Sequence, residues 1–484
     1  MKKQIIISGL ALISVWHLQA QNDIDAMRYS QITFGGTARF ASMAGSMGAL
    51  GGDISTLSFN PAGVAIFKKT EISITPSIFS QTTSSTYNSN TSSDSKLNFN
   101  LGNIGLVASI NLIKESNTTG WENINFGFGY NRTNNFHNRM DIQADNKTSS
   151  LLDVFVANAN GNPLSSFDQF SPNLPWLAWQ TYLIDTSGSL NNYNSVIPNY
   201  GIKQRKVVET TGAMGETVIS FGGNYKSKLY VGGTIGFVKA KYHEESTYEE
   251  IDETDTIPDF KSFSFSQNLT TKGNGVNLKL GAIFRPNDWV RIGAAFHTPS
   301  SLDLNDEYNS AMKSDLENGI KYDQISPQGS FKYSITTPFR AIGSLGFVIK
   351  KLALLNVEYE YVDYTFAQLH SSPNVFSDVN STIRSKYTST GNLRIGSEVR
   401  LDPIAIRLGY ALYGSPFSSN ENKNANRTSY TGGIGYRADK YFIDFAYVFT
   451  KYTEYNYLYD SPKATAVENK YKNSSFMLSL GLRF

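Results

Sequence analysis

Ser474-Ser475-Phe476-Met477-Leu478-Ser479-Leu480-Gly481-Leu482-Arg483-Phe484 is the last stretch of the chain, and the reading of its two faces decides the fold. In an extended strand, successive side chains point to opposite sides. Phe476, Leu478, Leu480, Leu482 and Phe484 therefore share one face, and Met477, Ser479, Gly481 and Arg483 share the other. An apolar face backed by small residues and a charge is what a strand needs with lipid outside and a polar lumen inside. A soluble sandwich also alternates, but it turns its charged face to solvent.

The pattern recurs upstream. Val290, Ile292, Ala294 and Phe296 oppose Arg291, while Leu393, Ile395, Val399 and Leu401 oppose Arg394, Glu398 and Arg400. Ile404, Ile406 and Leu408 oppose Arg407; Tyr441, Ile443, Phe445 and Tyr447 oppose Asp444; Glu358 and Glu360 share an inward face. A buried charge without a partner is costly, so these lumen charges are expected to pair across strands or with whatever fills the bore. About 14 alternating segments run from Thr70 to Phe484, an even number as bacterial barrels use. Their connections are of two kinds. Tyr225–Lys228, Arg285–Asp288, Asp402-Pro403 and Ala438–Lys440 are tight, whereas Ser246–Lys261, Asp303–Gly329, Ser415–Asn426 and Asp460–Lys470 are long and polar. Short periplasmic turns and long outer loops produce this asymmetry. The expected fold is all-β: a transmembrane antiparallel β-barrel of about 14 strands in the outer membrane of a Gram-negative cell. Its partners would be membrane lipids and the assembly machinery that reads a terminal strand ending in an aromatic residue such as Phe484.

Composition agrees and excludes other classes. Lys2 and Lys3, the apolar run Ile5–Val15 and Leu18-Gln19-Ala20 read as a secretory signal over residues 1–20. No later apolar run has the length of a spanning helix. A net charge of +2 offers little to nucleic acid. The chain has no cysteine, so it has no disulfide, thiol nucleophile or cysteine-metal site. His137, His243, His297 and His370 lie far apart, without the spacing of a metal site, and no cofactor is expected. From about residue 140 to 201 the alternation lapses, in a segment rich in apolar and aromatic residues. A partly helical extracellular cap is expected there, with Trp176, Trp179 and Tyr182 as candidate ligand contacts.

Between the leader and the first strand lies Gly35–Phe67, crowded with Gly and Ala and ending in Phe59-Asn60-Pro61-Ala62-Gly63. Small residues pack where backbones approach closely, and Asn-Pro starts a turn. This run, with Asp53 ahead of the Asn-Pro-Ala-Gly turn, resembles the N-terminal hatch of FadL-type outer-membrane transporters, which carry long-chain fatty acids and aromatic hydrocarbons. The resemblance implies a monomeric barrel over residues 70–484, stoppered by residues 21–69. It also implies a gating role for Asn60, Pro61, Ala62 and Gly63. Sideways release at a kink in the third strand is implied as well, where Asn131, Arg132, Asn134 and Asn135 replace the apolar alternation. The implied function is passive uptake of a hydrophobic small molecule, a long-chain fatty acid before others, and no enzymatic activity. Other readings fit the same architecture: a heme-related or general outer-membrane receptor, a purely structural barrel, and a hydrolase that would use His297.

Overall fold

The computed structural model describes residues 22–484 except 113–119, 168–174, 351, 374 and 419–421; the leader expected over residues 1–20 lies outside the described residues. Fourteen strands close into one antiparallel barrel. They are β1 (Glu71–Tyr87), β2 (Asn90–Asn111), β3 (Trp121–Asn135, resuming at Asn138–Asn146), β4 (Ile202–Tyr225), β5 (Leu229–Ile251) and β6 (Ser262–Phe284). Next come β7 (Val290–His297 and Ser301–Asp315), β8 (Gly329–Thr336 and Arg340–Ile349), β9 (Ala353–Asp363) and β10 (Ser389–Leu401). The last are β11 (Ile404–Tyr413), β12 (Arg427–Arg437), β13 (Tyr441–Tyr457) and β14 (Ala466–Arg483). Each strand pairs with the next over at least part of its length, and β14 pairs back on β1 from Glu71↔Arg483 to Thr86↔Glu468, which closes the barrel.

The alternation read from the last strand holds around the wall. Ile72, Phe126, Phe221, Ile235, Leu278, Leu345, Leu408, Phe445 and Leu480 are exposed on the outer surface. Their strand neighbours Ser73, Asn125, Ser220, Thr234, Asn277, Arg407, Asp444 and Ser479 are buried inside. Several segments read as loops are strand instead. The acidic run beginning at Glu244 continues β5 to Ile251, and much of Asp303–Gly329 extends the β7–β8 hairpin. Polar residues carry these extensions because above the membrane both faces of a hairpin tolerate water.

Inside the barrel lie α1 (Asp23–Ser30), α2 (Ala38–Ser42) and two short 3-10 turns, Ile54–Ser58 and Pro61–Ile66. The plug is seated against bare backbone. Inward glycines on consecutive strands meet it: Gly105 faces Ile54, Gly127 faces Leu57, Gly222 faces Val64, Gly232 faces the Pro61 carbonyl and Gly281 faces Asn60. On the far wall Gly293 meets Gly48, Gly396 and Gly409 meet Met43, and Gly433 meets Ser42. A Cβ at any of these positions would collide with the plug, so glycine is required by close approach rather than by a turn. The long-loop end is closed by α3 (Leu151–Ala159) and α4 (Pro175–Gln180), whose Leu152, Phe155 and Leu177 pack with Phe260, Phe263 and Leu458 in one apolar cluster.

Candidate functional site

The plug is fastened by polar bonds as well as by fit. Asn60 Nδ2 donates to the Gly48 carbonyl (2.6 Å), and its Oδ1 accepts the Ala62 amide (3.1 Å). That bond caps the 3-10 turn begun by Pro61, whose fixed φ and missing N–H suit a first helical position. Asn125 Nδ2 donates to the Val64 and Phe67 carbonyls (2.7 and 2.8 Å), and Thr431 Oγ1 to the Ser42 carbonyl (2.7 Å).

The lumen charges assemble into two buried networks. Glu398 accepts Arg39 of the plug (2.8 Å), Arg407 (2.6 Å) and Arg400 (2.7 Å), and Arg407 continues to Asp444 (2.7 Å). Arg394 bridges Glu358 (2.8 Å) and Glu360 (3.0 Å), Glu360 also holds Arg340, and Glu358 accepts the Gly48 amide (2.7 Å). Arg291 donates to the Leu50 carbonyl (2.8 Å). Plug and wall are thus joined through charge-assisted bonds between buried groups, where such bonds are strongest. Arg39 and Arg340 were not singled out from the sequence. Arg340 is the first inward residue of its strand after Pro338, so parity offers a signal for it, whereas Arg39 lies in a short helix with no periodicity to read.

One place in the wall is not closed by backbone. The β2–β3 ladder runs from Asn111↔Asn123 to Asn103↔Asn131 and stops. At that level Gly102 is bulged out of β2 and Thr133 out of β3. Two bulges at one height bend adjacent strands apart. Pro76 on β1, which lacks an N–H, adds a break in the pairing with β14. Above this point β2 pairs only with β1, and the outer half of β3 only with β4. Side chains alone cross the seam. Asn90 Nδ2 donates to the Gln143 carbonyl (2.6 Å), Arg139 pairs with Asp94 (2.9 Å), Asn98 meets His137 (3.0 Å), and Arg132 Nε donates to the Leu101 carbonyl (3.3 Å).

Behind the seam lies a cavity. Its wall combines Phe34, Phe79, Val448 and Met477 with Asn100, Arg132, Asn134, Asn135 and Tyr413. Residues Gln31–Gly35, which lead from α1 into the plug, line one side. They are strapped to the bulge: the Thr33 amide donates to the Thr133 carbonyl (2.9 Å), and Asn134 Nδ2 to the Gln31 carbonyl (3.2 Å). A second, smaller cavity shares Ile32 and is lined by Phe59, Lys279, His297 and Glu360. His297 Nε2 lies 2.7 Å from the Phe59 carbonyl, so it contacts the plug.

The structure therefore brings Arg132, Asn134 and Asn135 to the seam and the cavity, Asn131 to the last rung of the ladder, where it donates to Ser58 of the plug (2.7 Å), and Asn60–Gly63 to the plug seat. The three aromatic residues of the cap lie elsewhere. Trp176 and Trp179 pack against the cap cluster, Tyr182 stacks on Tyr322 at the surface, and none of them lines either cavity. Among the described residues no His and acidic side chains form a group able to hold a metal ion.

A closed barrel with an apolar exterior, an internal stopper and a cavity opening toward one interrupted strand pair defines an outer-membrane channel for small molecules. The sequence profile of the outer membrane protein transport protein family (OMPP1/FadL/TodX) matches residues 216–484, and the chain belongs to that family of transport channels. A search of curated proteins finds no match. Among solved structures, the toluene transporter TodX of P. putida superposes with a TM-score of 0.56 at 12% identity, covering 93% of this chain and 99% of the other. A Pseudomonas aeruginosa FadL homologue gives 0.55 at 14%, covering 94% and 99%. The Ralstonia pickettii toluene transporter TbuX gives 0.51 at 13%, covering 94% and 100%. At these identities the likeness is one of fold.

Proposed function

We propose that this channel takes up long-chain fatty acids passively, holds them in the larger cavity and releases them sideways through the β2–β3 seam. The observation that carries this reading is the missing backbone ladder directly beside the cavity. Backbone polar groups facing lipid must be satisfied, and across the seam side chains reach carbonyls such as those of Gln143 and Leu101, contacts that can separate without breaking a strand pair. The glycine seat and the buried ion pairs hold the plug in place. In this proposal the Asn60–Gly63 turn seals the periplasmic route, and movement is confined to the Gln31–Gly35 strap. An elongated acyl chain suits a cavity that carries apolar side chains along one part and amides along another.

The chain has no cysteine, so a bridge placed across the seam would be the only one present. Asn135 Nδ2 donates to Asn98 Oδ1 across the seam (3.4 Å). Oxidising the Asn98→Cys, Asn135→Cys variant should stop uptake of a labelled fatty acid by cells, and a reductant should restore it. Undiminished uptake by the fully bridged protein would refute lateral release.

A further inference from the structure

Resting on the seam as the exit, we infer that Arg132 is the headgroup station of the site. It binds the anionic oxygens of an amphiphile and selects acids over neutral hydrocarbons.

Arg132 lines the larger cavity and uses its Nε on the Leu101 carbonyl, while one terminal nitrogen is buried without any hydrogen-bond partner. Among the described residues no carboxylate pairs with it. Arg340, Arg394, Arg407 and Arg427 each have one. Arg291 also lacks a carboxylate, but it rests on the Leu50 carbonyl and does not line the cavity. A guanidinium has donors in a planar fork that matches a carboxylate or phosphate, and an intramembrane charge without a partner marks a functional position by default.

The height of Arg132 agrees with a headgroup role. It lies opposite Gly215, which lies opposite Lys239, and Lys239 and Lys241 are exposed on the outer face of β5. Two steps of the alternation lower, Phe128, Ile219 and Ile235 face outward and are apolar. Arg132 therefore sits where the exterior changes from greasy to polar, with Ile32, Phe34, Phe79 and Met477 beside it in the cavity for a tail.

Palmitate and hexadecanol, equal in chain length and different in charge, test the assignment on the purified full-length protein in mild detergent. Arg132→Gln should weaken palmitate binding by about tenfold or more, the value of one charge-assisted pair, and leave hexadecanol within about twofold. Arg132→Lys should keep part of the palmitate affinity. Equal weakening of both probes, or unchanged palmitate binding by a correctly folded Arg132→Gln barrel, would overturn the proposal. The anion has a second possible source, a membrane lipid phosphate. Phosphatidylglycerol binding in nanodiscs that falls in Arg132→Gln while palmitate binding holds would assign the site to lipid and likewise overturn it. Equilibrium binding does not require exit, so continued transport by the bridged seam variant would sink lateral release while leaving the Arg132 contrast standing.

Discussion

Replacing Glu398 with Gln removes the one carboxylate that joins the plug to the wall through Arg39. Glu398 is fully buried and accepts three guanidinium groups, those of Arg39, Arg400 and Arg407. After Glu398→Gln, Arg407 still has Asp444, and Arg400 is partly exposed and gains water. Arg39 keeps the Gly52 carbonyl at 3.0 Å but has no carboxylate left to bond. Stranding a buried charge in this way costs about 3–5 kcal/mol, equivalent to roughly a hundredfold to a few thousandfold in the population of the loosened plug. The reciprocal change is milder. Arg39→Gln leaves Glu398 with two cations, so it should cost less than half as much. In the double variant no charge is stranded on the plug, and the loss should be well below that of Glu398→Gln alone, a non-additivity that a double-mutant cycle measures. The assays are the unfolding midpoint, followed by heat-dependent gel mobility, and single-channel conductance in a planar bilayer, where a loosened plug adds long openings. Equal losses for the two single variants, or a Glu398→Gln protein with unchanged midpoint and conductance, would refute the reasoning.

Two further tests follow from the plug. A side chain at Gly281 would collide with Asn60, so Gly281→Val should destabilise the barrel by about 1–3 kcal/mol of overpacking, read as a lower unfolding midpoint. The same change at Gly343, which has open space around it, should be nearly neutral. Burial raises the Asp25 carboxyl on α1 from the ordinary aspartate value of about 3.9 to about 6, with Arg28 opposing and Asp306 and Glu244 adding to the rise. A raised carboxyl favours the docked helix when protonated, so this contribution is full below the ordinary value and is lost as pH rises through about 6. Protection of α1 from proteolysis should therefore weaken between about pH 4 and about pH 6, and Asp25→Asn should flatten the profile.

Much of the architecture was legible because a lipid-facing wall forces a period of two. Phe476, Leu478 and Leu480 cannot share a face with Ser479 and Arg483 in any extended strand, and the same holds for Ile404 to Leu408 around Arg407. The kink in the third strand was implied by the resemblance to FadL-type transporters and set at Asn131–Asn135, where the apolar alternation is lost; the bulge at Thr133 lies in that stretch. The run from Glu244 to Ile251 was not, because acidic residues are equally at home in a loop and in a hairpin that stands above the membrane. Nor was the glycine seat: Gly222, Gly232 and Gly281 read as inward small residues, with nothing in their neighbours to name what approaches them.

Local alternation, a hatch motif and the last eleven residues were enough by themselves to determine a barrel, its inside and outside, and a plug made from the leading segment. These are properties of residues close together in the chain, set by which side of a strand meets lipid. The partners of Glu398, the packing of Asn60 against Gly281, the seam between Asn98 and Asn135 and the open guanidinium of Arg132 were decided only by tertiary structure. Each depends on distance between strands far apart in sequence, and a missing row of backbone bonds leaves no mark on either strand until the wall is closed around it.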